Sequence, residues 1–75
     1  MNFSNNLRSL RASRKLSQEQ LANLVGVSRE QIAKYENGTT VPNIVNGVIL
    51  AKALKTTAEN LVGLDEIFLS ENTNN

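Results

Sequence analysis

Arg29, Glu30, Lys34 and Asn37 bring a guanidinium fork, a carboxylate, an ammonium group and an amide into one short stretch of chain. If Ile32, Tyr35 and Glu36 turn inward, helical periodicity places Arg29, Glu30, Ala33, Lys34 and Asn37 on the opposite stripe. That set of donors and acceptors suits the reading of a polar surface by hydrogen bonds rather than bond breaking. Histidine and cysteine are both absent, which removes the usual general base near neutral pH, imidazole and thiolate metal ligands, and disulfides. No nucleophile–base pair, phosphate loop or metal-ligand cluster is found. The sequence therefore predicts a binding module without enzymatic activity, cofactor or metal.

Seventy-five residues, 40% hydrophobic and 20% charged, describe one small globular domain. The longest uninterrupted apolar run, Val48-Ile49-Leu50-Ala51, is far short of the roughly 20 residues a membrane-spanning helix needs. No export signal is seen, and a cytoplasmic location without membrane partners is expected. The net charge of +1 divides unevenly: residues 1–34 hold six basic and two acidic groups (+4), residues 35–75 two basic and five acidic (−3). Such a dipole would turn one side toward a polyanion.

Holding the polar stripe in place requires several short helices. Phe3, Leu7, Leu10 and Arg14 predict a first helix over about 3–14, capped by Asn2 or Ser4. Ser17 followed by Gln20 forms a capping box, and Leu21, Ala22, Leu24 and Val25 form the apolar face of a second helix that stops at Gly26. Ser28 and Gln31 repeat the capping pattern, with Ile32 and Tyr35 pointing inward and Asn37-Gly38 as terminator. A turn as short as Gly26–Ser28 forces the two helices to cross steeply. Val41-Pro42 reads as extended chain. Ile44, Val48, Leu50, Ala51 and Leu54 then predict a broad apolar face on a helix over about 43–55, interrupted by Gly47. A fifth helix begins at Thr56 or Thr57 and carries Leu61 inward; Leu64, Ile67 and Phe68 extend an amphipathic turn to about Leu69. The domain is expected to span 1–69, with 70–75 a flexible polar tail.

The segment Gln18–Asn37, QEQLANLVGVSREQIAKYEN, resembles the helix-turn-helix of the phage Cro/repressor family, the xenobiotic-response-element-type regulators. The resemblance runs from Leu7-Arg8 through Ser17-Gln18, Glu36-Asn37-Gly38 and Pro42 to Leu50-Ala51, Ala53-Leu54 and Leu61. Ala22 falls where the helices cross, Gly26 at the turn, and Ile32 where the recognition helix meets the core. The resemblance implies an all-α, compact five-helix lambda-repressor-like domain, with its motif over about 18–37 and its recognition helix over about 28–37. It implies a sequence-specific transcriptional regulator of double-stranded DNA, a repressor acting as a weak homodimer on a near-palindromic operator through the major groove.

Within that family pattern the base-reading positions fall on Ser28, Arg29, Glu30 and Lys34. Arg29 and Lys34 suit guanine, and Glu30 the amino group of cytosine. Phosphate contacts are implied for Asn37, Thr39 and Thr40; Gln18, at a helix start, suits the same role, and Arg14 and Lys15 are outer candidates. The loop at 39–41 departs from relatives with basic residues there, offering hydroxyls without charge. Arg11 and Glu36 are implied to form a buried structural ion pair. Leu61, Val62, Leu64, Ile67 and Phe68 are candidate dimer contacts, or else cover for the chain's own core. An alternative is an antitoxin-like protein-interaction module with auxiliary DNA binding, docking a protein partner on its acidic C-terminal segment.

Overall fold

In the computed structural model, which describes residues 3–63, the chain forms α1 (Phe3–Ser13), α2 (Gln18–Val25), α3 (Arg29–Glu36), α4 (Ile44–Ala53) and α5 (Ala58–Val62). No strand occurs among these residues. The expected helix order therefore holds.

Local chemistry accounts for most boundaries. α1 stops at Ser13, one residue earlier than the spacing suggests, and Lys15 takes a left-handed φ of 59° that redirects the chain. α2 opens on a complete capping box: the Ser17 hydroxyl accepts from the Gln20 N–H at 3.0 Å, and the Gln20 amide oxygen accepts from the Ser17 N–H at 2.8 Å. It closes at Gly26, φ 78°, where the N–H groups of Gly26 and Val27 both donate to the Ala22 carbonyl, at 2.8 and 3.1 Å. Three residues, Gly26 to Ser28, separate α2 from α3.

The second capping box is only half formed. Ser28 accepts from the Gln31 N–H at 3.1 Å, but the Gln31 side chain does not return to the cap; it donates to the Thr40 hydroxyl at 3.1 Å. A nearby tertiary acceptor has outcompeted the local one.

The core gathers Leu7, Leu21, Ala22, Ile32, Tyr35, Leu50, Ala51, Leu54 and Leu61 from all five helices. Phe3 meets Tyr35 edge to face, ring centroids 6.2 Å apart. α2 packs on α3 and α4, and α1 on α3 and α5. The buried Asn6 amide donates to the carbonyls of Asn60 and Leu61 at 3.2 and 3.0 Å, tying α1 to the far end of α5. Six large aliphatic side chains are fully buried, each contributing about 1.5–3 kcal/mol relative to exposure; for so short a chain they carry most of the apolar stabilisation.

Two apolar expectations need correction. Only the C-terminal half of α4 faces the core: Leu50, Ala51 and Leu54 are buried, whereas Ile44 is 82% exposed and Val48 40% exposed. The helix is apolar nearly all round, so periodicity alone could not say which stripe would be covered. Leu24 is also exposed, on the outer side of α2.

Candidate nucleic-acid interface

The outer surface of α3 presents Ser28, Arg29, Glu30 and Lys34, all exposed. Their opposites, Ile32, Tyr35 and Glu36, are buried, so the inward and outward stripes fall as the spacing predicts. Glu30 and Lys34 are one turn apart, yet no ion pair joins them among the described residues. Both charged heads remain available to a partner.

Glu36 anchors this surface from behind. Only 3% exposed, its carboxylate accepts from Arg11 Nε at 2.5 Å and Arg11 Nη2 at 3.0 Å, a two-point fork that joins α3 to α1. Gln18 Nε2 adds a third hydrogen bond at 3.2 Å, from the first residue of α2. Arg11 also donates to the Leu16 carbonyl at 2.7 Å, and Arg8 Nη2 to the Glu36 carbonyl at 2.8 Å, closing the C-terminal end of α3. Burial pushes the Glu36 carboxyl upward, but the hydrogen bonds from Arg11 and Gln18 and the charges of Arg11 and Arg8 outweigh it and hold it below its ordinary value. The hydrogen bond to Glu36 outweighs desolvation at Arg11 and raises its already high pKa. α3 is therefore fixed to both α1 and α2 by one buried carboxylate.

The loop after α3 is fixed as well. Asn37 Oδ1 accepts from the Thr39 N–H at 2.9 Å and from the Thr39 hydroxyl, and the Thr39 and Thr40 N–H groups turn back to the Lys34 carbonyl at 3.0 and 3.4 Å. With Gln31 holding Thr40, the hydroxyls at 39 and 40 sit against α3. Gln18, Asn37, Thr39 and Thr40 thus lie around the same helix as Arg29, Glu30 and Lys34.

Other candidate positions are not brought into this group. Arg14 Nε donates to the Leu54 carbonyl at 3.2 Å, closing the end of α4, and Lys15 is exposed in the α1–α2 turn. Leu61 is fully buried within its own chain, which agrees with the second of its two expected roles, cover for the chain's own core. Val62 is exposed, and Leu64, Ile67 and Phe68 lie outside the described residues.

Sequence reasoning gave Arg8 and Gln31 no role at the site. Arg8 lies three residues before Arg11 on the same side of α1, a spacing that could have assigned both to α3. For Gln31 the capping pattern pointed elsewhere, and the Thr40 partner depends on how the loop folds.

A helix-turn-helix family model matches residues 7–61. Among relatives, the HTH-type transcriptional activator BcrR of Enterococcus faecalis is 35% identical over the whole of this chain, which covers 37% of that protein. The cryptic phage CTXphi transcriptional repressor RstR of Vibrio cholerae is 36% identical over 92% of this chain and 62% of its own length. This chain therefore spans well under two thirds of BcrR and somewhat under two thirds of RstR. Among solved structures, the P22 c2 repressor protein in complex with a synthetic operator superposes with a TM-score of 0.80 at 32% identity, over 83% of this chain and 94% of that one. No described helix is long and apolar enough to cross a membrane.

Proposed function

Because the chain belongs to the helix-turn-helix family of DNA-binding transcriptional regulators, we propose that it is a sequence-specific repressor whose α3 enters the major groove of an operator. One observation carries this reading: the charged heads of Arg29, Glu30 and Lys34 are exposed, while Glu36 holds the same helix rigidly from its buried side. Arg29 forks onto guanine O6 and N7, Lys34 reaches a second guanine, and Glu30 accepts from a cytosine amino group. Ser28 stands at the end of the helix that points into the groove. Gln18, Asn37, Thr39 and Thr40 clamp phosphates, with Arg14 and Lys15 outside them. One short helix reads only a few base pairs, so the protein acts as a weak homodimer on a near-palindromic site, its two copies of α3 about 34 Å apart.

The test is selection of bound duplexes from a random pool. The expected product is a pair of inverted half-sites one helical turn apart. Enrichment of no sequence, with binding that is absent even at low salt, would favour the antitoxin-like reading instead.

A further inference from the structure

A phosphodiester oxygen accepts hydrogen bonds and donates none, so a loop can meet one only through protons it has not already committed. In the loop after α3 the two threonines differ in this respect. The Thr39 N–H donates to Asn37 Oδ1 at 2.9 Å and to the Lys34 carbonyl at 3.0 Å, and the Thr39 hydroxyl proton also goes to Asn37 Oδ1. Thr40 is the reverse case. Its hydroxyl oxygen accepts from Gln31 Nε2 at 3.1 Å, which fills a lone pair and leaves the hydroxyl proton without an acceptor among the described residues. We propose that Gln31 is a positioning residue: by donating to Thr40 it makes the Thr40 hydroxyl, rather than that of Thr39, the side-chain donor of this loop to a phosphate oxygen of DNA.

The inference rests on the reading of α3 as a DNA-binding helix and deepens it. Three observations favour it. Thr39 must give up its bond to Asn37 before it can donate outward, so the bond gained is offset by one lost; Thr40 donates without that loss. Gln31 and Thr40 are both half-buried, whereas Thr39 is exposed, so water competes less for the contact that orients the Thr40 hydroxyl. Between Asn37 and Asn43 the loop holds no lysine or arginine, so it cannot attract a phosphate by charge, and the direction of a hydroxyl proton matters more. The Gln31 side chain reaches Thr40 in place of the return bond to the cap that Gln20 makes at the start of α2.

The test compares full-length Thr39→Val, Thr40→Val, Gln31→Glu and Gln31→Glu/Thr40→Val chains with the unsubstituted one. Their affinities are measured at fixed low salt for a labelled duplex of arbitrary sequence and for the duplex selected from the random pool, and urea unfolding verifies that each is folded. Valine keeps the shape of threonine without its hydroxyl. Glutamate keeps the link to Thr40 but reverses it, because a carboxylate accepts and takes the Thr40 proton. Thr40→Val is expected to weaken binding to both duplexes about tenfold, as for one hydrogen bond to a charged group, and about threefold or more beyond Thr39→Val. Gln31→Glu also adds repulsion toward phosphate, which the Thr40→Val background measures by itself. Its loss is therefore expected to be about threefold or more greater with Thr40 present than in that background. A Gln31 that merely ties the loop to α3 keeps its tie as glutamate and gives the same loss in both backgrounds. That result, or a loss at Thr39→Val equal to that at Thr40→Val, overturns the proposal and leaves the DNA-binding reading standing. Failure of the unsubstituted chain to bind either duplex overturns the reading itself and this inference with it.

Discussion

The Arg11 guanidinium grips the Glu36 carboxylate at two points, 2.5 and 3.0 Å, across 25 residues of sequence. This contact sets the position of the exposed stripe of α3 relative to α1, and Gln18 extends it to α2 at 3.2 Å. Removing one partner strands the other. Glu36→Ala is therefore expected to cost about 3 kcal/mol, the low end of the range for broken buried pairs, because the Arg11 side chain keeps 17% of its surface exposed. Replacing both with apolar groups, as in Arg11→Met with Glu36→Leu, should recover most of that loss. Urea unfolding of the two single variants and the double variant measures the difference. Single variants as stable as the unsubstituted chain would show that the pair contributes nothing.

The same carboxylate should make stability depend on acid. Glu36 is held below its ordinary value of 4.5, so the folded state binds its proton later than the unfolded chain does. The stabilisation is fully present above that ordinary value and is lost as pH falls toward the depressed folded value. Glu36→Gln removes this proton. Its thermal midpoint should fall less steeply than that of the unsubstituted chain below about pH 4.5, and the two curves should converge in acid. Parallel curves through that range would place the titration elsewhere.

The turn between α2 and α3 offers a backbone test. Gly26 has φ 78°, and a Cβ placed on it would meet nothing within 4 Å. Gly26→Ala therefore introduces no collision, only the cost of a left-handed conformation for an L-residue, about 1–2 kcal/mol. Gly26→Asn should cost less, because asparagine visits that region more readily. Equal losses for the two variants, read from denaturant midpoints, would point to a steric cause instead.

These particulars show how much the sequence disclosed. The Ser17/Gln20 box, the Gly26 stop and the inward Ile32 and Tyr35 depend on neighbours within a turn, and short-range pattern was enough to find them. The Arg11–Glu36 pair was legible only through resemblance, since nothing local links positions 25 apart. Ile44 and Val48 were misassigned to the core because α4 is apolar on nearly every side, and its buried stripe is chosen by the packing of α2 and α5. Gln31 follows the same logic. Its capping partner was within local reach, but the folded 37–40 loop offered the Thr40 hydroxyl.

Salt dependence should separate phosphate clamping from base reading. Gln18, Asn37, Thr39 and Thr40 carry no charge, so their loss should weaken binding while leaving the salt slope nearly unchanged. Arg14→Ala should reduce the slope by about 0.9 if its guanidinium meets a phosphate, with the hydrogen bond to the Leu54 carbonyl lost as well. An unchanged slope confines Arg14 to its structural bond.

Arg29→Ala tests the base-reading surface most directly. Arg29 is exposed, so folding stability should stay within about 0.5 kcal/mol of the unsubstituted chain. Binding to the selected operator should weaken by about 1–3 kcal/mol, and the loss should disappear on a duplex whose contacted guanine has been replaced. That pattern distinguishes a base contact from a phosphate contact, because loss of a phosphate contact weakens all duplexes alike. Competition binding to operators substituted at single positions gives the answer. A uniform loss on every duplex would move Arg29 to the backbone and leave Lys34, Glu30 and Ser28 to read the sequence.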